Sequence, residues 1–527
     1  MVSEIIEKNA IYMTVSEASK WASNYLNKNV SNSNISYLVN YGKLANYSHE
    51  QAKILINKNE LKLYYDNIRL QNSELDSPLS FAKYKEAETT KHIHRLHPYK
   101  GKFIPQLVEY FLDQHIDSIK KQVFFEKGNI ILDPFCGSGT TLSVANELHM
   151  HGIGIDISKF NTLLSNVKLK NYDIDLLELE LKKLMNKLCI YNTKTNIITF
   201  EEQLNILLTN FNNIYFPSKT YKRAVALKEI DELKYAQDKI NIIIPLYKEL
   251  VNKYNIDTNF DMEGNFLNKW YIKSVRDEIN FIKNEINYIP TDLQDIVYIV
   301  LSRTARSCRA TTHSDLATLV TPINSVYYCK KHGRICKPLF STAKWFRNYS
   351  MDTIKRLKEF YTIKTNTEQI CISADSTSVD LLSKVKEYNV NLAKLMIDNK
   401  VDGIFSSPPY IGVIDYHEQH AYAYDILNLE RNDEFEIGKL KDGQSRIAQE
   451  NYINGISNVL INMKKYLKNN YKVFLVANDK YNLYPKIAEL SGMYIANRYE
   501  RPVTNRTEKD KNKYNESIFY LRDKYEK

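Results

Sequence analysis

No apolar run in this 527-residue chain approaches the roughly 20 residues that a bilayer-spanning helix requires. Membrane insertion is therefore not expected. The opening residues, Met1 to Asn9, are polar and charged, unlike the apolar stretch of a secretory signal. Cysteine is scarce, and six in a chain this long do not make a disulfide framework. A reducing, cytoplasmic setting is the expectation. There is no internal repeat, and no Pro-Cys pair occurs anywhere. What is present is 43% hydrophobic residues, enough for sizeable cores. The chain is too long for one ordinary domain, and roughly two to four are expected.

Acidic residues are in deficit: 72 Lys and Arg against 62 Asp and Glu leave a net charge of +10. Such a balance suits a polyanion, because cations gathered on one face draw in phosphates. The chain is also rich in Lys, Asn, Ile and Tyr, which biased base composition produces as well, so charge alone does not decide.

Residues 10–70 read as a separable module. Thr14-Val15-Ser16-Glu17 fits a capping box, and Ala18, Trp21, Ala22 and Tyr25 follow at helical spacing. After a polar turn, Asn27 to Asn32, a second short helix is predicted from about Ser33 to Tyr41, ended by Gly42. The pair resembles a small helix-turn-helix DNA-binding module. Ser33, Asn34, Ser36 and Tyr37 would lie on or near the exposed face of its second helix. An ordinary helical hairpin packed on the main domain is the alternative.

From about residue 90 a different pattern begins. The segment His94 to Pro105 precedes an amphipathic helix carrying Leu107, Val108, Phe111 and Leu112. Strand 129–133, helix 140–147, strand 152–156 and helix 158–168 then alternate, which argues for a parallel sheet in an α/β domain. The alternation stops, and residues 170–365 read as charged, aromatic-bearing helical segments. It resumes with strand 369–374, strand 401–405, helix 453–467, strand 472–477 and a closing strand pair over 494–498 and 517–521. The expected architecture is one doubly wound, Rossmann-like α/β sheet over 90–168 and 369–527. A large, mostly helical insertion over 170–365 interrupts it, and a small N-terminal helical module precedes it.

Two motifs in that sheet carry chemistry. Ile131-Leu132-Asp133-Pro134-Phe135-Cys136-Gly137-Ser138-Gly139-Thr140-Thr141 is a strand running into a glycine-rich turn and a helix, where a cofactor can approach the backbone closely. Ser407-Pro408-Pro409-Tyr410 is a strand end running into a stiff loop that closes on an aromatic ring. Together they resemble motifs I and IV of the S-adenosylmethionine-dependent amino-methyltransferases that act on DNA, and the SPPY form resembles the cytosine-N4 branch.

The resemblance implies a methyltransferase sheet with S-adenosylmethionine as cofactor. Gly137 and Gly139 would allow tight approach, Asp133 would meet the methionine amino group, and Phe135 would pack on the cofactor. Asp156, ending the second strand, would accept the ribose hydroxyls, and Asp375, ending the third, would contact adenine. Both aspartates also suit helix capping. The stretch with Lys102 and Phe103 resembles motif X, which closes over the methionine end.

The amino nitrogen of cytosine is a poor nucleophile, because its lone pair is delocalised into the ring. Ser407 and the Pro408 carbonyl would accept hydrogen bonds from that amine, with Pro409 stiffening the loop, so the acceptors are preorganised. Tyr410 would stack on an extruded base, so base flipping is expected. Carbon-5 chemistry needs a thiolate, usually after proline in this loop, and the missing Pro-Cys pair argues against it. Adenine-N6 methylation stays open, although those enzymes more often carry Asp where Ser407 stands.

The implied partner is double-stranded DNA in a restriction-modification setting. No nuclease signature stands out, so the endonuclease would be a separate chain. A non-catalytic DNA-binding regulator that kept the fold is the reading from another class, and an RNA guanine-N2 methyltransferase a third.

Other candidates lie outside the two motifs. Arg303, Arg306 and Arg309 recur every three residues after an apolar helix, suiting phosphates or guanine edges on a DNA-reading face, or else a solvated helix end. His417 and His420 are placed to touch DNA or relay a proton, or simply to pack. A charged hairpin, Arg501 to Arg506 with Asn515-Glu516-Ser517, would border the site. Cys308, Cys329, His332 and Cys336 make a loose Cys3His set without a paired CxxC, and the histidines near His94 lack ligand-spaced partners. No metal is therefore expected.

Overall fold

The computed structural model of the chain describes residues 12–26, 30–40, 42–48, 54–72, 77–81, 83–84, 88–99, 101–313, 321–337, 342–503 and 515–524. Its strands, in chain order, are β1 (Tyr12–Thr14), β2 (Leu55–Asn57), β3 (Ile130–Asp133), β4 (His151–Asp156), β5 (Tyr327–Cys329), β6 (Arg334–Cys336), β7 (Gln369–Ser373), β8 (Val401–Ser406), β9 (Leu467–Ala477), β10 (Met493–Pro502) and β11 (Asn515–Asp523).

β3 and β8 are buried along their whole length, as central strands covered on both faces must be. Alternation then divides the side chains between two cores. Ile130, Leu132 and Ile404 point to one face, beneath helices Leu381–Tyr388, Val390–Asn399 and Arg446–Lys464. Ile131 and Phe405 point to the other, beneath helices Pro105–Leu112 and Thr140–Glu147. The seven-stranded sheet runs β10-β11-β9-β8-β3-β4-β7. The pairs from β9 through to β7 are parallel, and β11 runs antiparallel to both its neighbours. From β3 the chain walks outward through β4 and β7, then crosses back to β8 and walks the other way. The carboxyl ends of β3 and β8 thus flank a topological switch point, where open α/β sheets bind ligands.

The connection from β4 to β7 carries the long helical stretch. Helices Ile174–Asn192, Ile197–Tyr215, Glu232–Lys253, Lys273–Ile286, Thr291–Ser307 and Thr342–Tyr361 share one apolar core, into which Phe160 and Leu164 of helix Lys159–Leu169 also pack. Phe216, Trp270 and Tyr271 are buried in it.

At the N-terminus, β1 and β2 pair antiparallel around helices Val15–Leu26 and Asn32–Asn40. The capping box is formed: Thr14 N–H donates to Glu17 Oε2 at 2.8 Å, and Glu17 N–H donates to Thr14 Oγ1 at 3.3 Å. The predicted polar turn falls partly outside the described residues, as does Tyr41. Among the described residues no helix is long and apolar enough to cross a membrane.

Candidate active site

β3 ends on Asp133, and the turn after it needs glycine. Gly137 and Gly139 sit at φ +51° and +74°, in the left-handed region. A Cβ on Gly139 would come within 3.2 Å of Ser165 Cα, and one on Gly137 within 3.1 Å of the Tyr99 hydroxyl. Cys136 is buried against Ser165 as a small apolar residue.

The second loop is bolted to the first. Ser406 Oγ donates to Asp133 Oδ1 at 2.6 Å, and Thr141 Oγ1 donates to the Phe405 carbonyl at 3.2 Å. Ser407 Oγ donates to the Val476 carbonyl at 3.1 Å. With its proton committed there, the hydroxyl keeps lone pairs that can only accept. Tyr410 is half-buried and its hydroxyl donates to Glu516 Oε1 at 3.0 Å, while Arg501 Nη1 donates to Glu516 Oε2 at 2.5 Å. The strand ends around Arg501 and Glu516 therefore brace the SPPY loop, and Arg506 lies outside the described residues.

One open cavity, about 870 Å³ with the solvent at its mouth included, joins the two loops. Lys102, Phe103, Asp133, Phe135, Gly137, Asp156, Asp375, Ser407 and Pro409 line it. Gly139, Pro408 and Tyr410 are not among the lining residues, but each is a chain neighbour of one. Tyr99, from the stretch resembling motif X, and Tyr416, beside His417, also line it, as do Asn161, Ser376 and Glu436, which were not anticipated from sequence. Tyr99 lies in the histidine-rich stretch, and its hydroxyl fills the space that Gly137 leaves. Glu436 comes from an irregular loop with no period to mark it, and it holds the His417 ring at Nδ1.

The carboxylates sit in different surroundings. Asp133 is fully buried, and burial pushes its carboxyl up to about 6 despite hydrogen bonds from Ser406 and the Phe135 N–H. Burial also raises Asp156, which accepts from Gly137 N–H at 2.7 Å, Ser158 N–H at 2.8 Å and Asn161 Nδ2 at 3.1 Å. Asp156 therefore both ties down the local turn and faces the cavity. Asp375 does the same, accepting from Thr377 N–H and Oγ1 at 2.8 Å each. Burial lowers Lys102 to about 8, and its ammonium donates to the His94 carbonyl.

Other sequence expectations land differently. The three-residue arginine spacing does not make a surface stripe. Arg303 is 5% exposed, donates to Asp352 Oδ2 at 2.6 Å and stacks on Tyr349. Arg309 is 4% exposed over the Tyr422 ring, and Arg306 is only partly exposed. Helix Thr291–Ser307 is packed on nearly every side, so periodicity alone misassigned its outward face. His417 and His420 are packed, with His417 Nε2 accepting from Asn432 N–H at 3.3 Å. Ser33, Asn34 and Tyr37 are exposed on helix Asn32–Asn40.

A doubly wound sheet with a glycine-walled, carboxylate-lined cavity at its switch point defines a methyltransferase-like α/β enzyme. A family model described as a DNA methylase, of the N6/N4 methyltransferase kind, matches residues 5–166. The Type II methyltransferase M.MjaII of Methanocaldococcus jannaschii is 42% identical over 523 residues, covering 97% of this chain and 96% of that one. The Type II methyltransferase M.BsoBI of Geobacillus stearothermophilus is 23% identical over 408 residues, covering 77% of this chain and 65% of that one. Among solved structures, the rRNA methyltransferase aviRa from Streptomyces viridochromogenes aligns at a TM-score of 0.26 and 9% identity, over 86% of this chain and 92% of that one. That likeness carries no weight here. The chain belongs to the family of Type II DNA methyltransferases, a family whose activity implies S-adenosylmethionine as methyl donor and DNA as substrate.

Proposed function

We propose that the protein methylates the exocyclic N4 of cytosine in duplex DNA. The observation that carries this reading is the Ser407 hydroxyl, held as a pure acceptor by Val476 in the cavity that Asp133 also faces.

The cavity suits the cofactor. Asp133, Asp156 and Asp375, at the ends of β3, β4 and β7, offer acceptors to an ammonium, a ribose diol and an adenine amine. Phe135 and Phe103 offer apolar surface. Bound S-adenosylmethionine supplies an electrophilic methyl on its sulfonium. Ser407 and the Pro408 carbonyl accept hydrogen bonds from the target amine, which favours a pyramidal nitrogen with its lone pair aimed at that methyl. Pro408 and Pro409 hold the acceptors rigid, so geometry is set before the base arrives. Tyr410, braced through Glu516 and Arg501, offers a ring to an extruded base. Exposed Ser33, Asn34 and Tyr37 present a DNA-reading face, and the helical insertion, partly exposed Arg306 included, supplies further DNA contacts. A separate companion endonuclease completes the restriction-modification setting.

The test is nucleoside mass spectrometry of DNA treated with the enzyme. N4-methyldeoxycytidine is expected, and N6-methyldeoxyadenosine instead would overturn the base assignment. Ser407→Ala should abolish transfer while calorimetric cofactor affinity is unchanged. Normal turnover in that variant would remove Ser407 from the mechanism.

A further inference from the structure

The cysteine and histidine spacing in the insertion argued against a metal because the set was loose and lacked a paired CxxC, and it took Cys308 as the fourth donor. In the fold Cys308 sits in the apolar core. His313 stands where the fourth donor is needed, and the ligating atoms of His313, Cys329, His332 and Cys336 all lie within 4.8 Å of one another. We propose that these four side chains form a structural zinc site.

Geometry supports the donor set. Cys329 ends β5 and Cys336 ends β6, while His332 lies in the turn between them, Lys330 to Gly333. The turn is tight. His332 N–H and Gly333 N–H both donate to the Cys329 carbonyl, at 3.1 and 2.8 Å, and Gly333 takes φ +61°. That fold-back brings His332 Nδ1 to 3.4 Å from Cys336 Sγ. Around a tetrahedral zinc, with Zn–S near 2.3 Å and Zn–N near 2.0–2.1 Å, a sulfur and a nitrogen stand about 3.5 Å apart.

His313 arrives from the segment after helix Thr291–Ser307, and its ring meets that of His332 at 4.5 Å between centroids. The Tyr327 hydroxyl oxygen lies 2.9 Å from His313 N–H and 2.6 Å from Nδ1. With Nδ1–H donating to that oxygen, the Nε2 lone pair is free for a metal. A hydrogen bond on the far nitrogen is the usual way a ligating histidine is oriented.

The chemistry selects the ion. Two thiolates and two imidazoles in a closed tetrahedral set are a zinc donor combination, and four protein ligands leave no open position for catalysis. The cysteines are not in disulfides. The site also answers a structural need. β5 and β6 are three residues each, and a two-stranded hairpin that short is marginal by itself. Zinc would pin it to the chain at His313. The rest of the hairpin is already docked on the insertion: Asn212 bonds both the N–H and the carbonyl of Ile335, and the Tyr328 hydroxyl donates to Glu232 Oε1 at 2.7 Å.

The test uses full-length protein purified without a metal-affinity column. Plasma mass spectrometry should find about one zinc per chain. Cobalt(II) exchanged into the site should show thiolate-to-cobalt charge-transfer absorption. Cys329→Ser with Cys336→Ser should lose both signals, and Cys308→Ala should keep both. Wild-type protein with no stoichiometric zinc and no cobalt band would overturn the site, as would a Cys329–Cys336 disulfide found by intact mass. Loss of zinc from Cys308→Ala would overturn this donor set.

Discussion

Replacing Asp133 by Asn should make the protein more stable and less functional at the same time. In the fold the Asp133 carboxyl is fully buried, and burial lifts it from 3.8 to about 6. A group whose folded value lies above its unfolded value contributes stability below the unfolded value and loses it as pH rises through the folded one. The wild type should therefore lose stability between about pH 4 and pH 6 from this residue. At pH 8 the charge is carried at a cost of about 3 kcal/mol, from roughly two units at 1.36 kcal/mol each. An asparagine keeps the Oδ1 acceptor for Ser406 Oγ and the Phe135 N–H, so the local hydrogen bonds survive. Denaturant titrations at several pH values should place Asp133→Asn on the order of 1–3 kcal/mol above wild type at pH 8, with the gap closing toward pH 4. On the proposed role of Asp133 opposite the methionine ammonium, calorimetry on the same samples should show cofactor affinity lost. A variant less stable than wild type at pH 8 would refute the burial argument. Unchanged cofactor affinity would refute the assigned contact.

Arg303→Ala should cost about 3 kcal/mol by breaking a buried pair, with Arg356 Nε still 2.7 Å from Asp352 to limit the loss. The salt dependence of DNA binding by the folded variant should match wild type. A slope lower by about one, as for a lost phosphate contact, would return Arg303 to the DNA surface. Tyr410→Phe keeps the ring and loses the hydroxyl's bond to Glu516, so turnover should stay within several-fold, whereas Tyr410→Ala should fall roughly 5- to 150-fold, matching ~1–3 kcal/mol of base stacking. Equal loss in both variants would assign the effect to the hydroxyl.

What the sequence disclosed follows from what is local. The turn at Gly137 and Gly139, the capping box at Thr14 and Glu17 and the paired strands at the end of the sheet are short-range patterns, and each is formed. The arginine spacing failed because period describes a helix, not its neighbours. Helix Thr291–Ser307 is covered by helices Thr342–Tyr361 and Ala421–Leu427, so a charged side chain there had to find Asp352. Glu436 and His313 failed differently, since each joins its partners through space while sequence arithmetic counts along the chain. The insertion between β4 and β7 interrupts the alternation in sequence, yet β7 still pairs parallel to β4 at the edge of one seven-stranded sheet. Parallel strands always need a crossover long enough to pass over one face, and β7 is an edge strand. Lengthening that crossover leaves the switch point between β3 and β8 intact. Its helices can then build on Phe160 and Leu164, on helix Lys159–Leu169, whose Asn161 faces the cavity. The insertion thus shares a core with one wall of the cavity, and changes in its packing should be felt there first.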